Sequence, residues 1–298
     1  MLNLGFIGFG EAGYYMSKDL LREKVDVWAF DQEALQNTQR SVLIQRRAEE
    51  NQVKLVDSLE ALVARADIFF CLTSANSALP IAKQAAPMLH KGQIYTDMNS
   101  TSPKVKEQIH EVFLSSSEAD FVEAAVMSSV PTNKTKVPIT LDGARGQELT
   151  NLLNEIGMNV KFLDETIGKA SAIKMLKSIL AKGIIAVVTE TIFCTEQYGV
   201  TDIVLNGEKN FLEELGFIEY CSHDVTQAAT HNERFQHEME EVLSTVESMG
   251  ENGIMTKAAV EKFRWMNQMG FGKIFTERPQ SYHEVIDAKN QLCKGKMV

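Results

Sequence analysis

The chain has 298 residues, 44% of them hydrophobic and 23% charged, with a formal net charge of −10. This is the composition of a globular protein with room for two domains and a large core, and its acidity disfavours nucleic acid and anionic membranes as partners. Cys71, Cys194, Cys221 and Cys293 lie too far apart for a metal or redox motif, so reduced thiols, no metal site and a cytoplasmic location are expected.

The first strand begins within a few residues of Met1, so no leader is expected. Leu4 to Ile7 is a short apolar strand. It runs into Gly8-Phe9-Gly10-Glu11-Ala12-Gly13, a G-x-G-x-x-G, with a helical pattern behind it. In such a turn Gly8 permits the sharp exit from the strand and Gly10 leaves the backbone open to a pyrophosphate. Gly13 lets the helix approach the sheet. The helix start offers N–H groups and a positive dipole end to phosphates. A second strand, Val25 to Phe30, ends in Asp31, where this arrangement wants an acid for the adenosine ribose. Gly8, Phe9, Gly10, Glu11, Ala12, Gly13 and Asp31 therefore outline a nicotinamide-dinucleotide site. Asp31 repels a 2′-phosphate, and Gln32 is not the Arg that accommodates one, so NAD is favoured while NADP stays possible. Asp31 also suits the N-cap of the next helix, and the two roles are compatible.

Ala66 to Leu72 reads as a further strand, with Thr73 at its end as another cofactor candidate, then a helix carrying Leu79, Ile81, Ala85 and Met88. Gly92 to Thr96 is the next strand, and the polar run Asp97 to Pro103 crowds its carboxyl end, where open α/β sheets bind ligands. Asn99, Ser100 and Thr101 are candidates there to hold a substrate carboxylate, Asn99 also beside the cofactor. Turn and cap chemistry explains the same residues equally well. Ser102-Pro103 opens a helix. Phe121 to Val126 is a strand running into Ser128 and Ser129, which contact substrate or belong to an ordinary loop. Val137 to Leu141 and Asn159 to Leu163 complete a largely parallel sheet covered on both faces.

From Glu165 to about Gln197 the chain is one helical stretch, with Ile173, Leu176, Leu180, Ile184, Val187 and Ile192 at helical spacing. Everything beyond also reads as helix, broken by Gly199, Gly207, Gly216, Gly250 to Gly253, and Gly270-Phe271-Gly272. The fold class is an α/β Rossmann-type dinucleotide-binding domain (1–164) followed by an all-α domain (165–298), linked by the long helix. Its most apolar stretch, Ile179 to Val188, is interrupted by Lys182 and is expected to be too short to span a bilayer. Val187, Val188, Ile192 and Phe193 widen the apolar stripe beyond one side, so a homodimer through this helix is expected. Lys174 and Ser178 stand four apart and share a face. A lysine near a domain junction can be partly desolvated, which brings its pKa toward the acid–base range. A helical lysine taken alone is more often solvated, as expected for Lys177 and Lys182.

These segments, in this order, resemble the β-hydroxyacid dehydrogenase family, which includes 3-hydroxyisobutyrate, tartronate semialdehyde and 6-phosphogluconate dehydrogenases. The likeness covers nearly the whole chain. It implies reversible hydride transfer between a nicotinamide cofactor and the hydroxyl carbon of a small 3-hydroxy acid, with Lys174 as the acid–base catalyst. The substrate side departs from the family pattern. Asn99 stands for a Ser, Met127-Ser128-Ser129 for Ser-Gly-Gly, Ala170 for a Gly, and Ser178 for the substrate-binding Asn. The chain is closer to a branch with a helical C-terminal domain of unknown function, in which segments like Asp97 to Pro103 and His231-Asn232-Glu233-Arg234-Phe235 occur together. On a helix, Phe235, Met239, Val242 and Val246 form an apolar stripe, with His231 and Glu238 beside it and Arg234 at its edge. Arg234 is a candidate for forking onto a substrate carboxylate, or else a surface-paired residue. His223, His231 and His237 lack zinc-site spacing. Two rival readings share the fold: an imine or other carbonyl reductase, against which the retained Lys174 argues, and a catalytically silent NAD(P)-binding sensor.

Overall fold

The computed structural model describes residues 1–295. Their Cα packing forms two units, Met1–Ile179 and a second that begins at Leu180. The first unit runs β1 (Leu2–Ile7), α1 (Glu11–Ser17), β2 (Val25–Phe30), α2 (Gln39–Glu50), β3 (Lys54–Leu55), α3 (Leu59–Val63), β4 (Ile68–Cys71), α4 (Ala78–Ala85), β5 (Ile94–Asp97), α5 (Pro103–Ser116), β6 (Asp120–Val126), α6 (Val130–Asn133), β7 (Pro138–Asp142), α7 (Gly146–Glu155) and β8 (Asn159–Asp164). The long helix α8 (Lys169–Tyr198) leaves it.

The eight strands form one sheet in the order β3-β2-β1-β4-β5-β6-β7-β8. Every neighbouring pair is parallel except β6 and β7. Central strands read as unbroken apolar runs, such as Ile68-Phe69-Phe70-Cys71, because helices cover both faces. Two buried clusters result, one on each side: Leu4, Phe6, Val27 and Phe70 with α1, α2 and α7, and Phe69, Tyr95 and Phe121 with α3 to α5. The sequence pattern gave no sign of β3. Its two residues pair with Trp28 and Ala29 at the sheet edge, and Lys54 is held there by Asp26 at 3.0 Å and by the Trp28 ring.

The long helix begins at Lys169, not Glu165. Gly168 has φ of +108°, which stops a helix from extending back through it. The division expected at 164/165 gave the whole helix to the second domain. The packing divides inside α8, because its first turn is hydrogen-bonded to β6 and β7, as described below.

The second unit holds the rest of α8 with α9 (Thr201–Leu215), α10 (Phe217–Ser248), α11 (Ile254–Met269), α12 (Phe271–Ile274) and α13 (Tyr282–Gly295). Ala229, Met266, Phe271 and Val285 form its buried centre. Glycines break the helices as expected, except Gly207, which lies inside α9, and Gly272, which lies inside α12. Glu190 of α8 caps α11 by accepting the N–H groups of Met255 and Thr256, both at 2.8 Å. Helix α10 kinks at His231 (φ −112°, ψ 22°), so the regular-helix placement of His231 beside the stripe does not hold, while the stripe itself lies beyond the kink. Val246 is buried, whereas Val242 is 43% exposed.

The stretch Ile179 to Val188 is only part of a longer apolar helix. Helix α8 has 30 residues and a window of mean hydropathy 1.6, long and apolar enough by length and composition to cross a membrane. Counting only Ile179 to Val188 missed the apolar residues on either side of it.

Candidate functional site

The turn after β1 is shaped as the glycine pattern requires. Gly8 has φ of +87°, and a Cβ there would sit 2.7 Å from the Leu72 carbonyl oxygen. Space in front of Gly10 is open, with no heavy atom within 4 Å of where its Cβ would be. Among the described residues, no protein acceptor takes the N–H groups of Gly10, Glu11 or Ala12. They border a cavity of about 450 Å³ at the carboxyl ends of β1, β2 and β4, whose lining includes Gly8, Asp31, Glu33, Arg40, Thr73 and Ser77. An open cradle with free amide donors fits a dinucleotide pyrophosphate.

Asp31 does two things at once. Its Oδ2 accepts the Phe9 N–H at 2.7 Å, which ties the glycine turn to β2. Its Oδ1 accepts the Glu33 N–H at 2.9 Å and caps the short helical turn Gln32–Leu35. Each oxygen keeps a lone pair for a ribose hydroxyl. Arg40, which sequence reasoning missed, lines the same cavity and has no ion-pair partner among the described residues.

The polar segment after β5 lies next to this cavity. Asn99 is 7% exposed, and its amide is engaged by the protein. Its Oδ1 accepts the Thr73 N–H at 2.8 Å, and its Nδ2 donates to Asp97 Oδ1 at 2.5 Å and Cys71 Sγ at 3.3 Å. Asn99 therefore joins the ends of β4 and β5, and a side-chain N–H bond to substrate would have to displace one of these. Ser100 is exposed, and its Oγ accepts from Lys174 Nζ at 2.6 Å. Thr101 is 5% exposed, its hydroxyl buried without a partner. Ser102 precedes Pro103 at the start of α5, as expected, but its side chain makes no cap bond.

Lys174 is held by what fixes the start of α8. Glu123 on β6 and Asp142 on β7 are register partners across the antiparallel pair, and neither is exposed. Glu123 accepts the N–H groups of Gly168 and Ser171, each at 2.6 Å. Asp142 Oδ2 accepts the Ala170 N–H at 2.5 Å. Two carboxylates thus satisfy three N–H groups of the first turn and favour its positive dipole end. Lys174 is one residue short of a turn beyond Ser171. Burial holds its proton affinity below the ordinary lysine value, and the charge of Lys106 adds to the effect. Asp142 is pushed up to about 6, mainly by burial, against the opposing Ala170 N–H and with a contribution from Glu123.

The structure does not gather all the other candidates. Ser178 is on the next turn and bonds back to the Lys174 carbonyl at 3.4 Å. Ser128 and Ser129 are exposed and make local turn bonds to Asn133 and Thr132. Arg234 belongs to the second unit, where it pairs with Glu238 at 2.7 Å and lies over the Phe235 ring. Lys106, Glu123 and Asp142 escaped the sequence reading. Lys106 carried a usable signal, since it falls in register with Ile109 and Phe113 on the buried face of α5.

Comparison with known proteins agrees with this geometry. A conserved hypothetical protein from Sinorhizobium meliloti 1021 is 29% identical, covers 98% of this chain and 97% of its own, and superposes with a TM-score of 0.65. The conserved protein MTH1747, of unknown function and described as structurally similar to 3-hydroxyacid dehydrogenases, is 26% identical over 90% of this chain and 97% of its own, with a TM-score of 0.62. A Streptomyces aurantiacus imine reductase matches 92% of this chain and all of its own with a TM-score of 0.69, but at 16% identity the likeness is one of fold alone. Residues 196–266 match a domain of unknown function, DUF1932. Residues 3–163, more than half of the chain, match the NAD binding domain of 6-phosphogluconate dehydrogenase, and the chain belongs to that family.

Proposed function

We propose that this protein is an NAD(P)-dependent oxidoreductase that interconverts the hydroxyl and carbonyl forms of a small 3-hydroxy acid, with Lys174 as general acid–base. The observation that carries the reading is the 2.6 Å bond from Lys174 Nζ to Ser100 Oγ, one residue from the Asn99 that is tied to Thr73 in the cavity wall. A nicotinamide dinucleotide held in that cavity supplies the hydride chemistry. The chain supplies position and protons. In oxidation Lys174, whose proton affinity burial lowers, takes the substrate hydroxyl proton, and in reduction it returns it. Ser100 holds the amine in place until a substrate hydroxyl replaces it. Thr101, Ser128, Ser129 and Ser178 are the further candidates for orienting the acid, with Arg234 from the second unit and with Asn99 acting through its hold on the loop.

The negative charge of Asp31 and Glu33 at the cavity favours NAD, with Arg40 as the one opposing charge. The family-level match and the likeness to MTH1747 support a dehydrogenase. A second copy of this chain is our proposed cover for α8, whose Leu176, Ile179 and Ile185 are 62–72% exposed. The polar ties of α8 to β6, β7 and α11 suit that role better than a lipid-facing one. The test is Lys174→Ala assayed with NAD and with NADP against 3-hydroxy acids, 3-oxo acids and cyclic imines. The reading expects turnover on the acids, lost by at least about a hundredfold in the variant, with dinucleotide affinity kept. Turnover that survives the change, or that appears only with imines, overturns it.

A further inference from the structure

The geometry points to Lys106 as a positioning residue of this site, a buried ammonium that fixes the Asp97–Asn99 segment and with it the adjoining Ser100 that receives Lys174. The inference rests on the reading of Lys174 as the acid–base group. Lys106 stands in the first turn of α5, in register with Ile109 and Phe113, and is 1% exposed. Its Nζ donates to the Asp97 carbonyl at 2.8 Å and to Asp97 Oδ2 at 2.6 Å. Asp97 Oδ1 in turn receives the Asn99 amide, and Asn99 holds the Thr73 N–H. One ammonium therefore reaches the wall of the dinucleotide cavity through two side chains. A buried ion pair is poor at adding stability for its own sake, and an apolar residue in register with Ile109 and Phe113 would pack there without its desolvation penalty.

Glu123 and Asp142 are committed to the N–H groups of Gly168, Ala170 and Ser171, and Glu107 of α5 lies beside Gly168. Lys169 is paired with Asp164 at 2.6 Å. Ser100, the direct partner of Lys174, is neutral. Burial first, and the charge of Lys106 second, disfavour the protonated Lys174 amine.

The test needs no substrate. Intact protein is labelled competitively with acetic anhydride across a pH series, and the acetylation midpoint of Lys174 is read by mass spectrometry against Lys177 and Lys182 in the same sample. The wild-type midpoint for Lys174 is expected below both references. In Lys106→Gln it rises toward the two references, because the second ammonium is gone. Lys106→Arg keeps the wild-type value. The pair Asp97→Asn with Lys106→Met, which leaves no buried charge uncompensated, shows the same rise and covers the case in which Lys106→Gln does not fold. Hydrogen exchange at the Thr73 amide is expected to quicken in both neutral variants. An unmoved Lys174 midpoint, or unchanged Thr73 protection, overturns the inference. If Lys174→Ala keeps turnover while the midpoint still moves, the acid–base assignment falls and the hold of Lys106 on Lys174 stands.

Discussion

Replacing Glu123 with Gln removes one negative charge and puts an NH2 group where a carboxylate oxygen now accepts. Glu123 is fully buried and receives two N–H groups at 2.6 Å, so the amide can keep one bond and must face the other N–H with a donor. A hydrogen bond to a charged group contributes about 1.5–3 kcal/mol, and a buried unsatisfied N–H costs a comparable amount. One change works the other way. Glu123 is a lesser cause, behind burial, of the raised pKa of Asp142, so its neutralisation relieves some repulsion there. That relief is the smaller effect, because burial and not Glu123 is the main cause of the raised pKa. The bond loss wins, and the net destabilisation is about 2–3 kcal/mol, or roughly 4–10 °C in Tm. The assay is thermal and urea unfolding of Glu123→Gln beside wild type, with hydrogen exchange followed at Gly168 and Ser171. Faster exchange confined to that first turn of α8 marks the carboxylate as its anchor. A variant within about 0.5 kcal/mol of wild type, with unchanged exchange there, would refute the reasoning.

Asp142 binds a proton more readily folded, at about 6, than at its ordinary value of 3.8. Its folded-state pKa is raised, so its contribution favours the fold at low pH and is lost as pH rises from about 4 through about 6, by about 3 kcal/mol at most. The Tm difference between Asp142→Asn and wild type should therefore grow in favour of the variant over that window, and a pH-independent difference would count against the burial argument. Asp31→Ala frees the N–H groups of Phe9 and Glu33, so isothermal titration should find weaker NAD binding and a smaller preference over NADP. Unchanged affinity for both would mean that Asp31 is only a structural cap. Light scattering at micromolar concentration is expected to give a dimer, and Ile179→Asp together with Ile185→Asp to give monomers. A monomeric wild type, or partition into membranes, would remove the proposed cover for α8.

The fold was largely legible because its signals are local. The glycine turn, the acid at the end of β2 and the alternation of apolar runs with amphipathic helices each occupy a few consecutive residues. The two-residue β3 was illegible because only pairing with Trp28 and Ala29 makes it a strand. The start of α8 was misjudged by four residues because the pattern from Glu165 is compatible with helix, while the conformation of Gly168 and the carboxylates from two other strands decide where it begins. The site follows the same division. Ser100 follows from its place after β5 and Lys174 from the family resemblance, and the structure brings the two together. Asn99 is a candidate for both cofactor and substrate in the sequence, and its amide is engaged by Thr73, Asp97 and Cys71, partners 26, 2 and 28 residues away. No spacing rule connects those positions. Lys106 was overlooked because lysines are rarely buried, although its register with Ile109 and Phe113 was open to inspection.

The most direct test is a crystal structure of the wild-type protein with NADH and a 3-oxo acid. The account predicts Lys174 Nζ within hydrogen-bond reach of the substrate oxygen, about 2.6–3.2 Å, with the nicotinamide C4 against the same carbon. An amine turned to bulk solvent, or a nicotinamide ring bound away from Ser100, would contradict it.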